Sequence, residues 1–292
     1  MKKSVQIYLA LLGALLLGWS LLRAGEIIEL SRGTHWMSLL GVTALYILSH
    51  GFRMLRLALL TLDRRKAILP LVAAHVLTAF PSSFLPFKIG EVLRLAAFFH
   101  VFESRHKALA VWLAERFGDL VIIAAFISGL YLFNANVPGS MRTIFIIFVL
   151  ASTLALLGLF AVAKVFVYIN RHLVLTSYTR HGLVLLKASN SLRRLETEIH
   201  KSIEGRLSAF FVLSLLIWCL EISALSLFIS RIPTGQPDFS VLFLSSLLAS
   251  LPGGTVEGTG LFGLYQSLAL VALTVAFLAA TWLTTYLKSV RK

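Results

Sequence analysis

Apolar runs close to 20 residues recur along the whole chain, and they constrain the fold more than any other feature of the sequence. A helix needs about 20 consecutive apolar residues to cross a hydrocarbon core of about 30 Å. The runs are continuous rather than alternating, which argues against barrel strands. Composition agrees: 58% of the 292 residues are hydrophobic and 14% are charged, with a mean hydropathy of +0.87. A typical soluble domain carries about 25% charge. The sequence therefore predicts an all-α, polytopic helical membrane protein.

Uninterrupted spans are expected at 5–22, 36–60, 119–133, 143–163, 209–229 and 269–287. Two more apolar regions, 67–100 and 240–268, carry Pro and Gly near their centres. This gives about six full spans and two re-entrant or broken helical hairpins within one transmembrane domain, 1–292. Met1-Lys2-Lys3 and the apolar stretch Val5 to Leu22 resemble a signal peptide, but the stretch is long for one and no small-x-small cleavage site follows. An uncleaved first span is expected. The single cysteine, Cys219, lies in an apolar run, which excludes an intrachain disulfide.

The net charge of +14 would point to nucleic acid in a soluble protein. Here it falls mainly in loops and points to topology and anionic lipid surfaces instead, so no nucleic-acid partner is expected. With the N-terminus inside, eighteen basic residues fall on the inner side and four (Arg23, Arg32, Arg142 and Arg231) on the outer. Arg105 and Lys107 are among the inner loop charges in that count. Both termini are expected to be cytoplasmic. Residues 170–206 are amphipathic, with Leu183, Leu186, Leu192 and Leu195 interleaved with Lys187, Arg193 and Arg194. They read as a basic cytoplasmic segment lying on an anionic leaflet, or equally as a solvated linker helix.

The segment PSSFLPFKIGEVLRLAAFF, 81–99, places Pro81 and Pro86 inside an apolar region, with Lys88, Glu91 and Arg94 close behind. Each proline is expected to break the helix. Non-helical backbone at membrane depth survives only where protein or a wet cavity covers it. The second region turns at Pro252-Gly253-Gly254 and reaches Glu257 five residues after its proline, the same offset that separates Pro86 from Glu91. Two re-entrant hairpins entering from opposite faces form an inverted arrangement, in which paired broken segments mark a substrate site. Two ordinary pairs of thin spans have the same topological parity, and both arrangements stay open.

Five basic residues, Arg53, Arg56, Lys88, Arg94 and Arg116, remain outside the loops. Five acids, Glu91, Glu115, Asp119, Glu221 and Glu257, lie in or beside apolar segments. An ionised side chain at a helix centre costs about 2.5–3.5 kcal/mol on the insertion scale, so these groups should face one another or a wet cavity. Arg53 and Arg56 share a helical face and either bind substrate or snorkel to the interface. Glu91 and Arg94 are spaced for an ion pair or for a headgroup-binding arginine with a titrating neighbour. Glu115, Arg116 and Asp119 read as packing salt bridges; the missing histidine and second acidic pair argue against a metal. Glu221 needs a partner or a proton, and His75 reads as a hydrogen-bonded interior histidine. No soluble catalytic signature, cofactor motif or metal motif is present in the sequence.

Three blocks resemble a known family. LPFKIGEVLR (85–94) resembles the Pro-x-x-x-Gly-Glu-x-x-Arg block of the lysylphosphatidylglycerol synthase transmembrane, or flippase-like, family. AVWLAERFGDL (110–120) is similar to its Glu-Arg-x-x-Asp block, and SLLASLPGGTVEGTGLFG (246–263) to its late Pro-x-x-Gly-to-Glu block. The resemblance implies a bacterial inner-membrane protein that moves lipid between leaflets through re-entrant helices. The family's founding members also carry a cytoplasmic domain that attaches lysine to phosphatidylglycerol, and the chain ends at Lys292 without room for it, so aminoacylation is not expected.

The resulting expectation is a flippase or transporter for an anionic phospholipid, glycolipid or polyprenyl-linked lipid. Arg53, Arg56, Lys88, Glu91, Arg94 and Glu257 are its expected substrate-binding residues. Pro86, Gly90, Glu115, Arg116, Asp119, Glu221, Pro252 and Gly254 are expected to be structural or coupling residues. An intramembrane transferase acting on a lipid-linked donor is the alternative from another class, and an accessory protein of a lipid or polysaccharide assembly complex is a third. Membrane lipids are the expected partners, together with a second copy of the chain or a biosynthetic-complex protein.

Overall fold

The computed structural model describes residues 3–33, 36–84, 89–132, 180–231 and 260–290, with scattered positions between 146 and 172. Among them every regular element is a helix. They are α1 (Lys3–Leu22), α2 (Ala24–Gly33), α3 (Trp36–Leu60), a 3-10 turn (Leu62–Ala67), α4 (Ile68–Phe84), α5 (Ile89–Val101), α6 (Arg105–Leu132), α7 (Arg180–Ile203), α8 (Leu207–Arg231) and α9 (Gly260–Val290). Pro86, Lys88, Pro252, Gly254 and Glu257 lie outside the described residues, as does most of the expected span 143–163.

Four stretches among the described residues are long and apolar enough to cross a membrane: Val5–Leu22, Leu62–Ser83, Leu207–Phe228 and Leu264–Thr284. Their outward sides carry exposed Leu11, Leu17, Leu69, Val212 and Trp282. Such surfaces are unfavourable in water and natural against acyl chains. The chain is an all-α, multi-pass membrane protein.

Several boundaries differ from expectation. The helix expected to begin at 119 begins at Arg105, so Glu115, Arg116 and Asp119 sit at the middle of a 28-residue helix. Residues 260–268, assigned above to the second broken region, are the first turns of α9. The first arm of region 67–100 is the 17-residue α4, which together with the 3-10 turn before it carries the apolar stretch Leu62–Ser83. Arg32, counted above as an outer loop charge, lies within α2. Lys107, counted as an inner loop charge, is fully buried in the first turn of α6. Its Nζ donates to Asp63 Oδ2 at 2.7 Å and Ser202 Oγ at 2.9 Å.

The chain divides into two compact units. Unit 1 comprises residues 1–52, 72–97 and 219–292. Its core gathers Leu12 and Leu16 of α1, Val42 and Tyr46 of α3, Val76 and Phe80 of α4, Phe228 of α8 and Leu270 of α9, all buried. These recur at helical spacing, for instance Val42, Tyr46 and Ser49, so one stripe of each helix turns inward. Unit 2 comprises residues 53–71 and 98–218. There α7 packs along α6, and Val111, Ala114 and Ile122 of α6 are buried in the same core as Phe210 and Ile217 of α8.

Pro81 does not end its helix. It lies inside α4, which continues to Phe84. Proline has no N–H, so the carbonyl four residues back loses its helical donor. That carbonyl belongs to Leu77, and the Tyr8 hydroxyl of α1 donates to it at 2.8 Å. A side chain from a neighbouring helix thus supplies the bond that Pro81 removes, as a helix without access to water requires. The Trp19 ring meets Phe80 edge-on at 5.5 Å, on the same two helices.

Tyr8→Phe should therefore destabilise the protein by about 1–3 kcal/mol, the usual cost of a buried acceptor left without a donor. In a Pro81→Ala background, where the backbone N–H returns, the same change should cost much less. Thermal unfolding of the four proteins in detergent measures this coupling. Equal losses in both backgrounds would exclude the Leu77 carbonyl as the reason for Tyr8.

Candidate functional site

In unit 1, α4 and α5 approach each other where the family-like motif lies. Residues eight apart on a straight helix are separated by about 12 Å. Gly90, in the first turn of α5, instead abuts Ser82 of α4, and a Cβ at position 90 would overlap the Ser82 backbone. The chain therefore changes direction between the two, and only glycine permits so close an approach. Ser82 Oγ donates to Thr78 O at 2.7 Å, and Ser83 shares a hydrogen bond of 3.0 Å with Ser267 of α9. The end of α4 is thus held from two sides.

Arg94, one turn beyond Gly90, is buried, and Glu91 on the same side of α5 is partly exposed. Arg94 Nη1 lies 4.0 Å from Glu91 Oε1. At that separation the two charges attract, but the guanidinium fork is not seated on the carboxylate as in a bidentate pair.

The same unit holds a buried polar group that spacing alone does not disclose. His50 Nδ1 lies 3.3 Å from His75 Nε2, and both rings are buried. Tyr46 packs edge-on to His50 at 5.1 Å. Ser49 Oγ reaches Glu221 Oε1 at 3.3 Å, which gives Glu221 a partner in α3. His75 is the interior, hydrogen-bonded histidine expected, but its partner, His50, comes from a different helix.

In unit 2, Arg56 has no exposed surface. Its Nη1 donates to Asp119 Oδ1 at 2.7 Å and to Ser214 Oγ at 2.9 Å, and its Nη2 to Glu115 Oε1 at 3.3 Å. Arg53 and Arg116 each approach Asp119 Oδ2 at 3.5 Å, and Arg116 also lies 3.9 Å from Glu115. Trp218 Nε1 donates to Asp119 Oδ1 at 3.4 Å, and the Phe210 ring lies 5.9 Å from the Arg56 guanidinium carbon. Phe210, Ser214 and Trp218 are spaced i, i+4, i+8, one face of α8. Gly118 lets that face close on α6, because a Cβ there would meet Phe210 Cζ at 2.5 Å and Ser214 Oγ at 2.8 Å.

The sequence brought Arg53, Arg56, Glu115, Arg116 and Asp119 under notice; it did not pair them across α3 and α6. Ser214 and Trp218 escaped because a serine and a tryptophan in an apolar run carry no signal of their own. Of the expected substrate-binding residues, Glu91 and Arg94 lie together in unit 1, whereas Arg53 and Arg56 lie in the unit 2 ion cluster.

Removing one member of a buried ion group strands its partners and costs roughly 3–5 kcal/mol. Arg56→Gln should therefore sharply reduce yield and thermal stability in detergent, since Glu115 and Asp119 would face each other with less positive charge. Arg53→Gln, at a rim position 3.5 Å from Asp119 with its side chain 12% exposed, should cost much less. Equal melting of Arg56→Gln and the unaltered protein would remove Arg56 from the framework.

Residues 6–287 match the family described as the lysylphosphatidylglycerol synthase TM region. No curated protein and no solved structure matches the chain. With nearly its whole length matched and every regular element among its described residues a helix, the chain belongs to the lysylphosphatidylglycerol synthase transmembrane family.

Proposed function

We propose that this protein is a lipid flippase, moving an anionic lipid between the leaflets of a bacterial inner membrane. Membership of the family supports a function concerned with membrane lipids. The observation that carries the finer reading is Arg94, a buried guanidinium one turn past the Gly90–Ser82 contact, with Glu91 at 4.0 Å. A guanidinium matches two oxygens of a phosphate at once, and Glu91 at its edge balances the charge when no lipid is present. Lys88 adds a further cation by its place in the motif, and Glu257 joins by the matching offset in the late block. Arg56 takes a different part, since its fork is already seated on Asp119, Glu115 and Ser214. We assign no covalent step to these residues; the reading is transport by alternating exposure.

Both termini are placed in the cytoplasm on the strength of the basic loops and tail. A green fluorescent protein fused after Lys292 should then fluoresce in cells, and a periplasmic alkaline phosphatase fused there should stay inactive. The opposite pair of results would invert the orientation.

For the site itself, leaflet transfer of a labelled anionic lipid in reconstituted vesicles is the measurement. Arg94→Gln should abolish transfer while the protein still inserts and purifies. Arg94→Lys should recover part of it, because a point charge replaces the fork imperfectly. Glu91→Gln/Arg94→Gln should stay inactive, since neutrality does not replace the counter-charge for the lipid. Transfer at the unaltered rate by the double variant would reduce Arg94 to half of an internal ion pair.

A further inference from the structure

The polar side of α7 carries a concentration of charge that no packing role absorbs. Arg194, Thr197, Glu198 and Lys201 fall at i, i+3, i+4 and i+7, a single stripe, with Arg193 beside it. With Ser104 and His106 at the start of α6, they line an open cavity of about 470 Å³. Small-molecule sites commonly occupy about 300–1,000 Å³. His106 Nε2 lies 2.9 Å from Ser191 Oγ, so the wall from α6 is tied to α7.

Charge sorts the possible ligands. Arg193, Arg194 and Lys201 are exposed side chains within little more than two turns. Like charges at this spacing repel, and an anion seated among them relieves the repulsion. The lining includes one carboxylate, Glu198, whose Oε2 lies 4.0 Å from the buried ammonium of Lys107. Lys107 draws part of its negative charge away from the cavity and leaves the three cations dominant. Two adjacent arginine forks suit a group with several equivalent oxygens, and a phosphate offers three.

We infer that the α6–α7 cavity binds the phosphomonoester or diphosphate group of a ligand. The site lies wholly within unit 2 and does not depend on the transport reading or on Arg94. The phosphate can come from a lipid headgroup or from a soluble phosphorylated compound, and the chemistry is shared. Leu185 and Leu192 are exposed on another side of α7 and give the helix an apolar face away from the cavity.

The test uses the full chain in phosphatidylcholine nanodiscs, titrated with inorganic pyrophosphate at constant ionic strength by calorimetry. One site per chain is expected. Arg193→Gln/Arg194→Gln should weaken binding by about tenfold or more, the usual scale for lost charge-assisted hydrogen bonds. Glu198→Gln should leave binding intact or tighten it. These side chains are exposed, so unchanged melting should accompany the loss; Lys201→Gln gives an independent check if the double variant melts early. Nanodiscs that also contain phosphatidic acid separate the sources. Loss of pyrophosphate binding there identifies a lipid headgroup as an occupant, and unchanged binding identifies a soluble phosphate; either result sustains the site. Heats from the unaltered protein no different from those of the Arg193→Gln/Arg194→Gln and Lys201→Gln variants would overturn it.

Discussion

A guanidinium with no exposed surface persists only where protein groups neutralise it, and unit 2 is organised around that requirement at Arg56. Three helices contribute: α3 brings the arginine, α6 the carboxylates of Glu115 and Asp119, and α8 the Ser214 hydroxyl and the Phe210 ring. None of these contacts forms unless the helices are at the right depth and rotation. The ion group therefore fixes register as well as charge. Gly118 is its steric counterpart, because the face of α8 that carries Phe210 and Ser214 reaches the cluster only where α6 has no side chain.

The same rule acts on other polar groups in unit 1. Pro81 removes a backbone donor, and Tyr8 replaces it from α1. His50 meets His75, and Ser49 meets Glu221, each pair joining different helices. Other hydroxyls bond to their own helix, as Thr78 does to Ala74 O and Ser82 to Thr78 O. Water would make all these bonds cheaply in a soluble protein. In hydrocarbon they become the constraints that orient the helices.

Two buried arginines that look alike in the sequence have different surroundings. Arg56 sits in a shell of two carboxylates and a hydroxyl, a composition suited to holding helices together. Arg94 lies one turn beyond the close contact of Gly90 with Ser82, with Glu91 Oε1 at 4.0 Å. The lipid-handling proposal leaves α3 aside because the Arg56 fork is already committed to Asp119, Glu115 and Ser214. The α7 cavity adds a third kind of cationic site, open rather than buried, whose lining carboxylate Glu198 lies 4.0 Å from the Lys107 ammonium.

Helix class, membrane residence and family were legible in the sequence, because the length and continuity of apolar runs and the spacing within the motifs are local properties of the chain. The residues that had to be paired were legible for the same reason: a charge in an apolar run stands out wherever it lies. Their partners were not legible. Which carboxylate Arg56 meets, that His75 meets His50, that Lys107 is buried, and that Pro81 can remain inside a helix all depend on neighbours distant in the chain. Tyr8 and Leu77 are 69 residues apart, and Arg56 and Ser214 are 158 apart. Periodicity tells which side of a helix must be covered; only the packing of one helix on another decides what covers it, and with it the difference between a scaffold charge and a binding charge.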